Sequence, residues 1–350
     1  MFYRAIVFPA LCALSANDAE KAHEFGIKTL RFIGEAKPIH WTLKNLLHTD
    51  GISKEVCGIR FPSPFGLAAG FDKNAEAVHG LEALGFGFIE IGTVVTLPQA
   101  GNPRPRLFRL LEDRALINRM GFNSYGLDFV VERLKAMRQR GISIPIGVNV
   151  GKNKDTPIKN AAEDYAKGIA ATYEFADYQT VNLSSPNTLD LRTLQEASAL
   201  NDLLDRVNVE RKRMIDQKHQ RWKPLFVKFD PDMSLDLFAS ALEVTWRKAN
   251  GVIIANTTTQ FPETLRSKHR TEKGGLSGGL NQQKVAARIK FAREHLPPKV
   301  PIIGVSGAEC PDTFKYLQDA GATLVQAFTG FIYQGPLLPW RINTSLVQPR

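Results

Sequence analysis

The chain has 350 residues, of which 43% are hydrophobic, and a formal net charge of +10. This length and composition allow a full-sized core in one large domain or two smaller ones, and one α/β barrel with an appendage also fits. No apolar run approaches the roughly 18 residues that a membrane-spanning helix needs. The three cysteines are scattered without metal-ligand spacing, so we expect a reducing compartment and no metal site.

The basic charge allows an anionic partner such as a phosphate, a nucleic acid or a lipid surface. A solvated basic exterior accounts for most of this charge more simply. The basic cluster over residues 206–223 lies on a predicted helix beside acidic residues. We therefore predict no nucleic-acid binding.

Residues 1–45 predict a helical segment ahead of the main domain. Asn17 is a candidate N-cap, and Glu20 three residues later would complete a capping box. Apolar residues then recur at three- and four-residue steps as far as Ile33. Two such helices can pack on the main domain or lie in a lipid interface, and both alternatives stay open. The apolar run from Ala5 to Leu14 also allows a signal peptide, which the continuing helical pattern disfavours.

From about residue 54, strand-like runs alternate with helix-like runs. Eight strands separated by helices predict an α/β fold of the (β/α)8 TIM-barrel type, over residues 46–340, with residues 341–350 as a tail. A doubly wound open sheet is the alternative, disfavoured because no G-x-G-x-x-G follows the first strand. The predicted strands are Phe65–Ala69, Phe88–Gly92, Ile144–Val150, Tyr178–Val181, Leu225–Phe229, Gly251–Ala255, Pro301–Val305 and Thr323–Ala327. The predicted helices are Asn74–Leu84, Tyr125–Arg140, Ile158–Tyr173, Ala197–Asp216, Ser234–Lys248, Gln282–Glu294 and Pro311–Asp319.

Two connections between these elements are unusually long, and long loops in compact domains are often functional. Residues 97–123, after the second strand, have the pattern of an inserted hairpin. Residues 257–279, after the sixth strand, end in a glycine-rich run.

The carboxyl ends of the strands carry a polar set, and active sites of such barrels lie at that end. Asparagines arrive from five sources, lysines from two strands and glycines from several. Amides suit a planar heterocycle edged with N–H and C=O groups, lysines suit a carboxylate or an anionic ring, and glycines let backbone N–H groups approach a phosphate. Lys228 follows the apolar run 225–227, where an unpaired charge is costly, so we expect an anionic partner for it.

The segment Val181–Thr188 begins at the end of the fourth predicted strand. It is rich in amide and hydroxyl side chains and contains no charged residue. The strand ends hold no carboxylate pair and no metal cluster, and we expect the seven histidines to lie mostly away from them. A hydroxyl is therefore the candidate proton acceptor, and redox chemistry would require a bound cofactor.

Six motifs at these positions form a specific set. They are Ala69-Gly70-Phe71-Asp72-Lys73, Ile89-Glu90-Ile91-Gly92-Thr93, Pro105-Arg106-Leu107-Phe108-Arg109, Ile117-Asn118-Arg119-Met120-Gly121-Phe122-Asn123, Asn149-Val150-Gly151-Lys152-Asn153 and Asn182-Leu183-Ser184-Ser185-Pro186-Asn187-Thr188. Together they resemble the class 2 dihydroorotate dehydrogenases, which are membrane-associated and quinone-dependent. The resemblance runs from His23 to Gly330.

The resemblance implies an FMN-binding barrel that oxidises (S)-dihydroorotate to orotate in de novo pyrimidine (UMP) biosynthesis. It implies that Ser185 takes the C5 proton while hydride passes from C6 to FMN. The implied substrate-binding residues are Lys73, Asn118, Arg119, Met120, Gly121, Phe122, Asn182, Asn187, Asn256 and Thr257. The implied cofactor-binding residues are Ala69, Gly70, Phe71, Asp72, Lys73, Thr93, Asn149, Asn182, Lys228, Ala255, Gly278, Gly307, Phe328 and Thr329.

The resemblance also implies a monomer held peripherally on the cytoplasmic side of the cell membrane. Residues 1–45 would contact lipid and give a membrane quinone access between their helices. The cytosolic class carries cysteine at the base position, where this chain has Ser185. The chain departs from the family pattern at several positions. These are Leu189-Asp190 in place of Pro-Gly, Asp230 in place of a small residue, Ala255 in place of threonine, Ser306 in place of glycine and Phe328 in place of tyrosine.

Two alternatives belong to other function classes. A tRNA dihydrouridine synthase resembles this fold but would need a catalytic cysteine and an RNA-binding C-terminal domain, and we expect neither. A non-enzymatic basic binding module would leave the polar set at the strand ends unexplained.

Overall fold

A computed structural model describes residues 3–188 and 190–347 of the chain. Its strands are β1 (Lys54–Val56), β2 (Ile59–Phe61), β3 (Phe65–Leu67), β4 (Ile89–Val94), β5 (Leu107–Leu110), β6 (Ala115–Asn118), β7 (Ile146–Val150), β8 (Tyr178–Asn182), β9 (Leu225–Phe229), β10 (Gly251–Ile254), β11 (Gly275–Gly278), β12 (Ile302–Val305) and β13 (Leu324–Ala327). Its α-helices are α1 (Phe8–Leu14), α2 (Ala19–Glu35), α3 (Lys37–Leu46), α4 (Val78–Ala83), α5 (Leu127–Arg140), α6 (Ala161–Thr172), α7 (Ala197–Asp216), α8 (Leu235–Lys248), α9 (Gln282–His295), α10 (Pro311–Asp319), α11 (Thr329–Gln334) and α12 (Leu338–Leu346).

Eight of the strands close a parallel barrel in the order β3, β4, β7, β8, β9, β10, β12, β13. The predicted (β/α)8 fold is therefore confirmed. Each predicted strand lies within two residues of the observed one at either end. The agreement has a physical basis, because strands buried on both faces are short continuous apolar runs between helices.

The lower end of the barrel, at the amino ends of its strands, is filled by aromatic rings. Phe88, Tyr178 and Phe226 are almost fully buried. Each ring occupies the space where a side chain would project from a glycine of the neighbouring strand. The pairs are Phe88 with Gly66, Tyr178 with Gly147 and Phe226 with Gly251. The hairpin β1–β2 contributes Phe61 to the same cluster, so this end is a packed core and the site lies at the other end.

Two predicted helices start three or four residues before the observed α-helices. The predicted helix Asn74–Leu84 begins only at Val78, because the Asp72 carboxylate accepts hydrogen bonds from the backbone N–H groups of Glu76 and Ala77. Those bonds hold a turn where a first helical turn is predicted. The predicted helix Ile158–Tyr173 opens with a 3₁₀ turn and becomes an α-helix at Ala161.

The N-terminal segment contains three α-helices where two are predicted, and α1 follows a π-helical turn over Tyr3–Val7. The N-cap of α2 is Asp18, not Asn17, because the Asp18 side chain accepts from the N–H groups of Glu20 and Lys21. Asn17 has a φ of +61°, which is incompatible with the extended backbone of an N-cap. Within residues 3–188 and 190–347, no helix has the length and apolarity to cross a lipid bilayer.

The inserted hairpin predicted over residues 97–123 is present as β5 and β6. The glycine-rich end of the second long loop forms β11, which pairs antiparallel with β6 and makes a three-stranded sheet. The two long loops thus join each other above the strand ends.

The boundary predicted after residue 340 falls inside α12. Ile342 and Asn343 of this helix are buried. The Asn343 amide accepts a hydrogen bond from Ser63 Oγ at 2.6 Å and donates one to the Gly85 carbonyl at 2.7 Å. These residues belong to the barrel, and only residues 348–350 of the predicted tail lie outside the described part.

Candidate active site

A cavity lies at the carboxyl ends of the barrel strands, under the sheet β5–β6–β11. It encloses about 1230 Å³ of empty space, including its open mouth. Most of the residues predicted to bind substrate or cofactor line it. They are Ala69, Gly70, Lys73, Thr93, Asn118, Met120, Gly121, Phe122, Asn182, Ser185, Asn187, Lys228, Ala255, Asn256, Thr257, Gly278, Gly307, Phe328 and Thr329.

Arg119 and Asp72 are predicted site residues that do not line this cavity. The Arg119 guanidinium points to the outer side of the hairpin, where it pairs with Glu272 at 2.8 Å and stacks over the Phe108 ring at 4.5 Å. The Asp72 carboxylate is committed to the turn ahead of α4. Both residues lie in motifs that resemble the family pattern, but a motif in the sequence does not determine the direction of each side chain.

Phe71 and Asn149 also lie behind the cavity wall. Phe71 packs edge-on against His23, Phe328 and Phe331. Asn149 is fully buried, and its side-chain oxygen Oδ1 accepts hydrogen bonds from Thr93 Oγ1 at 2.6 Å and Asn182 Nδ2 at 3.0 Å. Both residues support side chains that do face the cavity.

The segment after β8 is fixed by its first asparagine. Asn182 Oδ1 accepts from the backbone N–H and the hydroxyl of Ser184, and Asn182 Nδ2 donates to Thr93 Oγ1. Asn256 Nδ2 donates to Ser184 Oγ at 2.9 Å, which joins the ends of β8 and β10. Ser184 is thereby occupied as a structural link, whereas the next serine is not.

Ser185 is buried and lines the cavity. Its hydroxyl oxygen accepts a hydrogen bond from the Asn187 N–H at 3.2 Å. Among the described residues, no histidine or carboxylate bonds to this hydroxyl. The Asn187 amide in turn donates to the carbonyl oxygen of Asn118 at 3.2 Å, so the serine loop is tied to the sheet above it.

Two lysines supply the positive charge of the cavity. Burial lowers the pKa of the Lys73 ammonium to about 8, although solvent in the open cavity reaches part of this side chain. Burial also lowers the pKa of Lys228, and the negative charge of Glu90 opposes that shift. Lys228 is 4% exposed, and the structure gives its ammonium no hydrogen-bond acceptor among the described residues.

A buried carboxylate lies beneath Lys228 in the barrel interior. Glu90 is fully buried, and it accepts hydrogen bonds from Asn149 Nδ2 at 2.7 Å, Gln326 Nε2 at 2.9 Å and the Tyr178 hydroxyl at 3.2 Å. Glu90 is thus held in place by three donors, and it is the acidic group that acts on Lys228.

The far side of the cavity is made of small residues near the ends of β11, β12 and β13. Gly278 and Gly307 have φ values of +134° and +60°, and a Cβ atom at Gly307 would meet Gly279 and Gln282. Thr329 Oγ1 lies 2.8 Å from Ser277 Oγ. Hydroxyls and exposed backbone N–H groups in such a cradle fit a phosphate. With the unpaired Lys228, this donor set suits a flavin mononucleotide.

Several residues that line the cavity are not predicted from the sequence, above all His23, Gln326 and Asn281. The expectation that histidines lie away from the strand ends is wrong for His23, which α2 delivers to the cavity wall beside Lys73. Burial and the Lys73 charge lower the pKa of His23 to about 3, so its imidazole is neutral near pH 7. Gln326 is a polar residue inside an apolar strand, a signal that could have been used.

A second cavity adjoins the first along α2. His23, Lys73 and Met120 line both cavities. The second cavity is bounded by a buried ion pair between Arg106 and Glu20 at 2.7 Å, to which Arg104 adds a contact at 3.1 Å. The pair fastens the N-terminal segment to the inserted hairpin.

Comparison with known proteins places this geometry in a family. Residues 52–348 match the family model described as "Dihydroorotate dehydrogenase". The chain is 44% identical over 331 residues to "Dihydroorotate dehydrogenase (quinone)" of Vibrio atlanticus, covering 94% of this chain and 96% of that one. It is equally identical over 343 residues to the protein of the same name from Methylococcus capsulatus, covering 97% of each.

A solved structure of a dihydroorotate dehydrogenase also has the fold of this chain. The crystal structure of DHODH from Eimeria tenella in complex with ferulenol superposes with a TM-score of 0.86 at 36% identity, covering 97% of this chain and 94% of that one. The family match argues against the alternatives of a tRNA dihydrouridine synthase and of a non-enzymatic binding module. The chain belongs to the dihydroorotate dehydrogenase family, and the relatives that it matches over nearly its full length are the quinone-dependent, class 2 enzymes.

Proposed function

We propose that this protein is an FMN enzyme that oxidises (S)-dihydroorotate to orotate with a quinone as acceptor, in the biosynthesis of UMP. The observation that carries the proposal is one cavity in which five asparagines and two lysines surround an uncharged serine. Such a set suits a small ring that carries a carboxylate and two amide edges. The names of the relatives support the same reaction.

The substrate would lie between the serine loop and the sheet above it. Lys73 would bind the substrate carboxylate as a charged partner. The amides would bind the N–H and C=O edges of the ring, since each amide offers donors and an acceptor. These residues are Asn118, Asn182, Asn187 and Asn256, with Thr257 beside them. The hydrogen bonds of Asn182 and Asn187 within the protein already fix their orientation.

FMN would lie against the far side of the cavity, with its phosphate at the cradle around Gly278, Gly307 and Thr329. Bound FMN would supply the acceptor for the hydride that leaves ring C6. Lys228 would face the polar end of the ring system, where a fixed positive charge stabilises negative charge in a water-poor site. The negative charge of Glu90 would oppose the lowering of the Lys228 pKa by burial.

Ser185 would take the proton from ring C5. Its hydroxyl is buried and accepts only from the Asn187 N–H among the contacts described above. A hydroxyl is a weak base, so its own proton must leave as the substrate proton arrives. Closure of the cavity by the sheet β5–β6–β11 would exclude bulk water during this transfer.

The quinone would bind in the second cavity, between α2 and the inserted hairpin. The N-terminal segment would lie on the cytoplasmic side of the cell membrane as a peripheral attachment, with the protein a monomer. Large apolar side chains exposed on this segment support that placement. They are Ile6, Leu14, Phe25, Phe32, Ile39, Trp41 and Leu46.

The test is a pair of half-reactions on the purified protein. The preparation should show a flavin spectrum, and dihydroorotate should bleach it without oxygen. Turnover should then be measured with a short-chain quinone, with fumarate and with NAD. A flavin that dihydroorotate fails to reduce would overturn the proposal. Preference for fumarate or NAD would overturn only the quinone assignment.

A further inference from the structure

The helices α3 and α4 bring together three potential metal ligands on the side of the barrel away from the cavity mouth. His40 belongs to α3, whereas His79 and Glu82 are three residues apart on α4. One ligand atom from each residue lies within 4.8 Å of the other two. Among the described residues, no other group of this kind occurs. The three are too far apart along the chain for sequence spacing to reveal, which is why no metal site is predicted from the sequence.

The two oxygens of Glu82 have different surroundings. Oε1 accepts hydrogen bonds from Lys44 Nζ at 2.8 Å and from the N–H and hydroxyl of Ser143 at 2.9 and 2.6 Å. Oε2 faces the two imidazoles, with His40 Nε2 at 3.3 Å and His79 Nδ1 at 3.7 Å. Oε1 is thus satisfied and holds the carboxylate in place, which leaves Oε2 for a further partner. Fixing of a ligand by such outer contacts is typical of metal sites.

The separations are close to those of a coordinated ion. With metal–nitrogen and metal–oxygen bonds of about 2.0–2.1 Å, tetrahedral ligand atoms lie roughly 3.3–3.5 Å apart. The distances from Glu82 Oε2 to His40 Nε2 and to His79 Nδ1 already approach this value. Rotation of one imidazole would shorten the remaining distance, between the two ring nitrogens. Nε2 of His79 is buried without a hydrogen-bond partner among the described residues, so no hydrogen bond at this atom holds the ring in its present orientation.

We propose that His40, His79 and Glu82 bind a divalent first-row transition ion, with Zn²⁺ as the matching probe. Two imidazoles and one carboxylate favour this class over Ca²⁺ or Mg²⁺, which prefer sets made of oxygen alone. The side chains of His40 and His79 are 17% and 14% exposed, so solvent can supply the fourth ligand. The bound ion fastens the N-terminal segment to the barrel through α3, independently of the proposed reaction.

The test is Zn²⁺ binding to the full-length, untagged, flavin-loaded protein after EDTA treatment and removal of the chelator. Calorimetric titration should give one ion per chain, and the melting temperature should rise with added Zn²⁺. His40→Gln and His79→Gln should each weaken Zn²⁺ binding by more than about tenfold. Loss of a residue that only hydrogen-bonds to a metal ligand typically costs about 10–100-fold in affinity, and loss of a ligand itself should cost at least as much. Co²⁺ in place of Zn²⁺ should give visible absorption bands of a low-coordinate site.

The control is His48→Gln, since His48 is an exposed imidazole that pairs with Asp50 outside the cluster. This variant should bind Zn²⁺ like the unaltered protein. The proposal is overturned if the unaltered protein fails to bind one equivalent. It is equally overturned if His40→Gln, whose partly exposed position makes it compatible with folding, binds Zn²⁺ with unchanged affinity.

Discussion

At the scale of single residues, adjacent serines have different tasks. Ser184 links Asn182 to Asn256 by hydrogen bonds, whereas Ser185 presents its hydroxyl to the cavity. Neighbouring residues of an extended segment point in opposite directions, so composition alone could not separate the two. The family motif selects Ser185 as the proposed base, and the structure supplies the physical reason why Ser184 is unsuitable.

Ser185→Ala should slow flavin reduction by dihydroorotate by about 10²–10⁴-fold, the usual contribution of a positioned base. Binding of dihydroorotate should change little, because the hydroxyl is small and the amides remain. Stopped-flow reduction and a spectral binding titration measure the two effects. Ser185→Cys is the matched variant and should retain part of the rate. A parallel loss of binding and rate in the alanine variant would argue against the role.

Lys73 gives the site a pH dependence with a defined sign. Its ammonium has a pKa lowered to about 8 by burial, so the positive charge is present below this pH and lost above it. The affinity for the dihydroorotate carboxylate should therefore fall by about tenfold for each pH unit above 8. Equilibrium binding titrations from about pH 6.5 to about pH 9.5, which span this pKa, measure the effect.

The matched control for that titration is Lys73→Arg, because a guanidinium stays protonated throughout the range. Its affinity should be lower overall but independent of pH. A flat profile in the unaltered protein would show that the substrate carboxylate is not held by Lys73.

At the scale of elements, the loop between β8 and α7 is anchored by a residue that departs from the family pattern. Asp230 is buried and accepts from Gln195 Nε2 at 2.7 Å, with Arg192 Nε at 3.5 Å. Asp190 has a φ of +53° in the same loop, while Leu189 lies outside the described residues. A carboxylate directly after β9 thus holds the loop that contains Ser185.

Asp230→Ala should lower the free energy of unfolding by about 1–3 kcal/mol, because the Gln195 amide and Arg192 each lose a buried acceptor. Asp230→Asn keeps an acceptor for Gln195 and should cost less. Denaturant unfolding measures the stability, and limited proteolysis tests whether the loop opens. Asp236→Asn, at an exposed position of α8, is the control. Equal effects of the two Asp230 variants would show that hydrogen bonding to Gln195 is unimportant.

The sequence predicts the elements better than the directions of side chains. Barrel strands are found because they are short apolar runs, and the polar residues after them meet because parallel strands end on one side. Arg119 and Asp72 lie in matching motifs, yet hydrogen bonds to neighbouring segments turn them away. His23 reaches the cavity only through the docking of α2, which no local pattern specifies.

At the scale of the whole molecule, the N-terminal segment is joined to the barrel by polar contacts at several points along α2 and α3. The most buried of them is the pair of Glu20 and Arg106. Close packing adds to it, since Gly80 of α4 leaves no room for a side chain beside the Leu30 carbonyl.

Deletion of residues 1–45 should abolish turnover with quinone and preserve flavin reduction by dihydroorotate, because the first cavity is built almost entirely by the barrel. Arg106 would lose its buried partner Glu20, and Glu82 would lose His40 and Lys44. A loss of stability of about 3–5 kcal/mol or more should therefore accompany the deletion. Anaerobic reduction and steady-state quinone assays measure the two half-reactions. Unchanged quinone kinetics would show that the acceptor binds elsewhere.

The pairing of rings with glycines at the lower end of the barrel has a consequence for recombination between relatives. Phe88 with Gly66, Tyr178 with Gly147 and Phe226 with Gly251 each join two neighbouring strands. A chimera can take the two positions of a pair from two parents. If one parent supplies a ring and the other a larger residue than glycine, the side chains clash; if both supply small residues, a cavity remains. Crossovers placed between β4 and β7, or between β8 and β9, keep every pair within one parent. Chimeras with crossovers at either of those positions should therefore fold. A crossover between β7 and β8 should be tolerated only if one parent supplies glycine at position 147 and the other an aromatic ring at position 178.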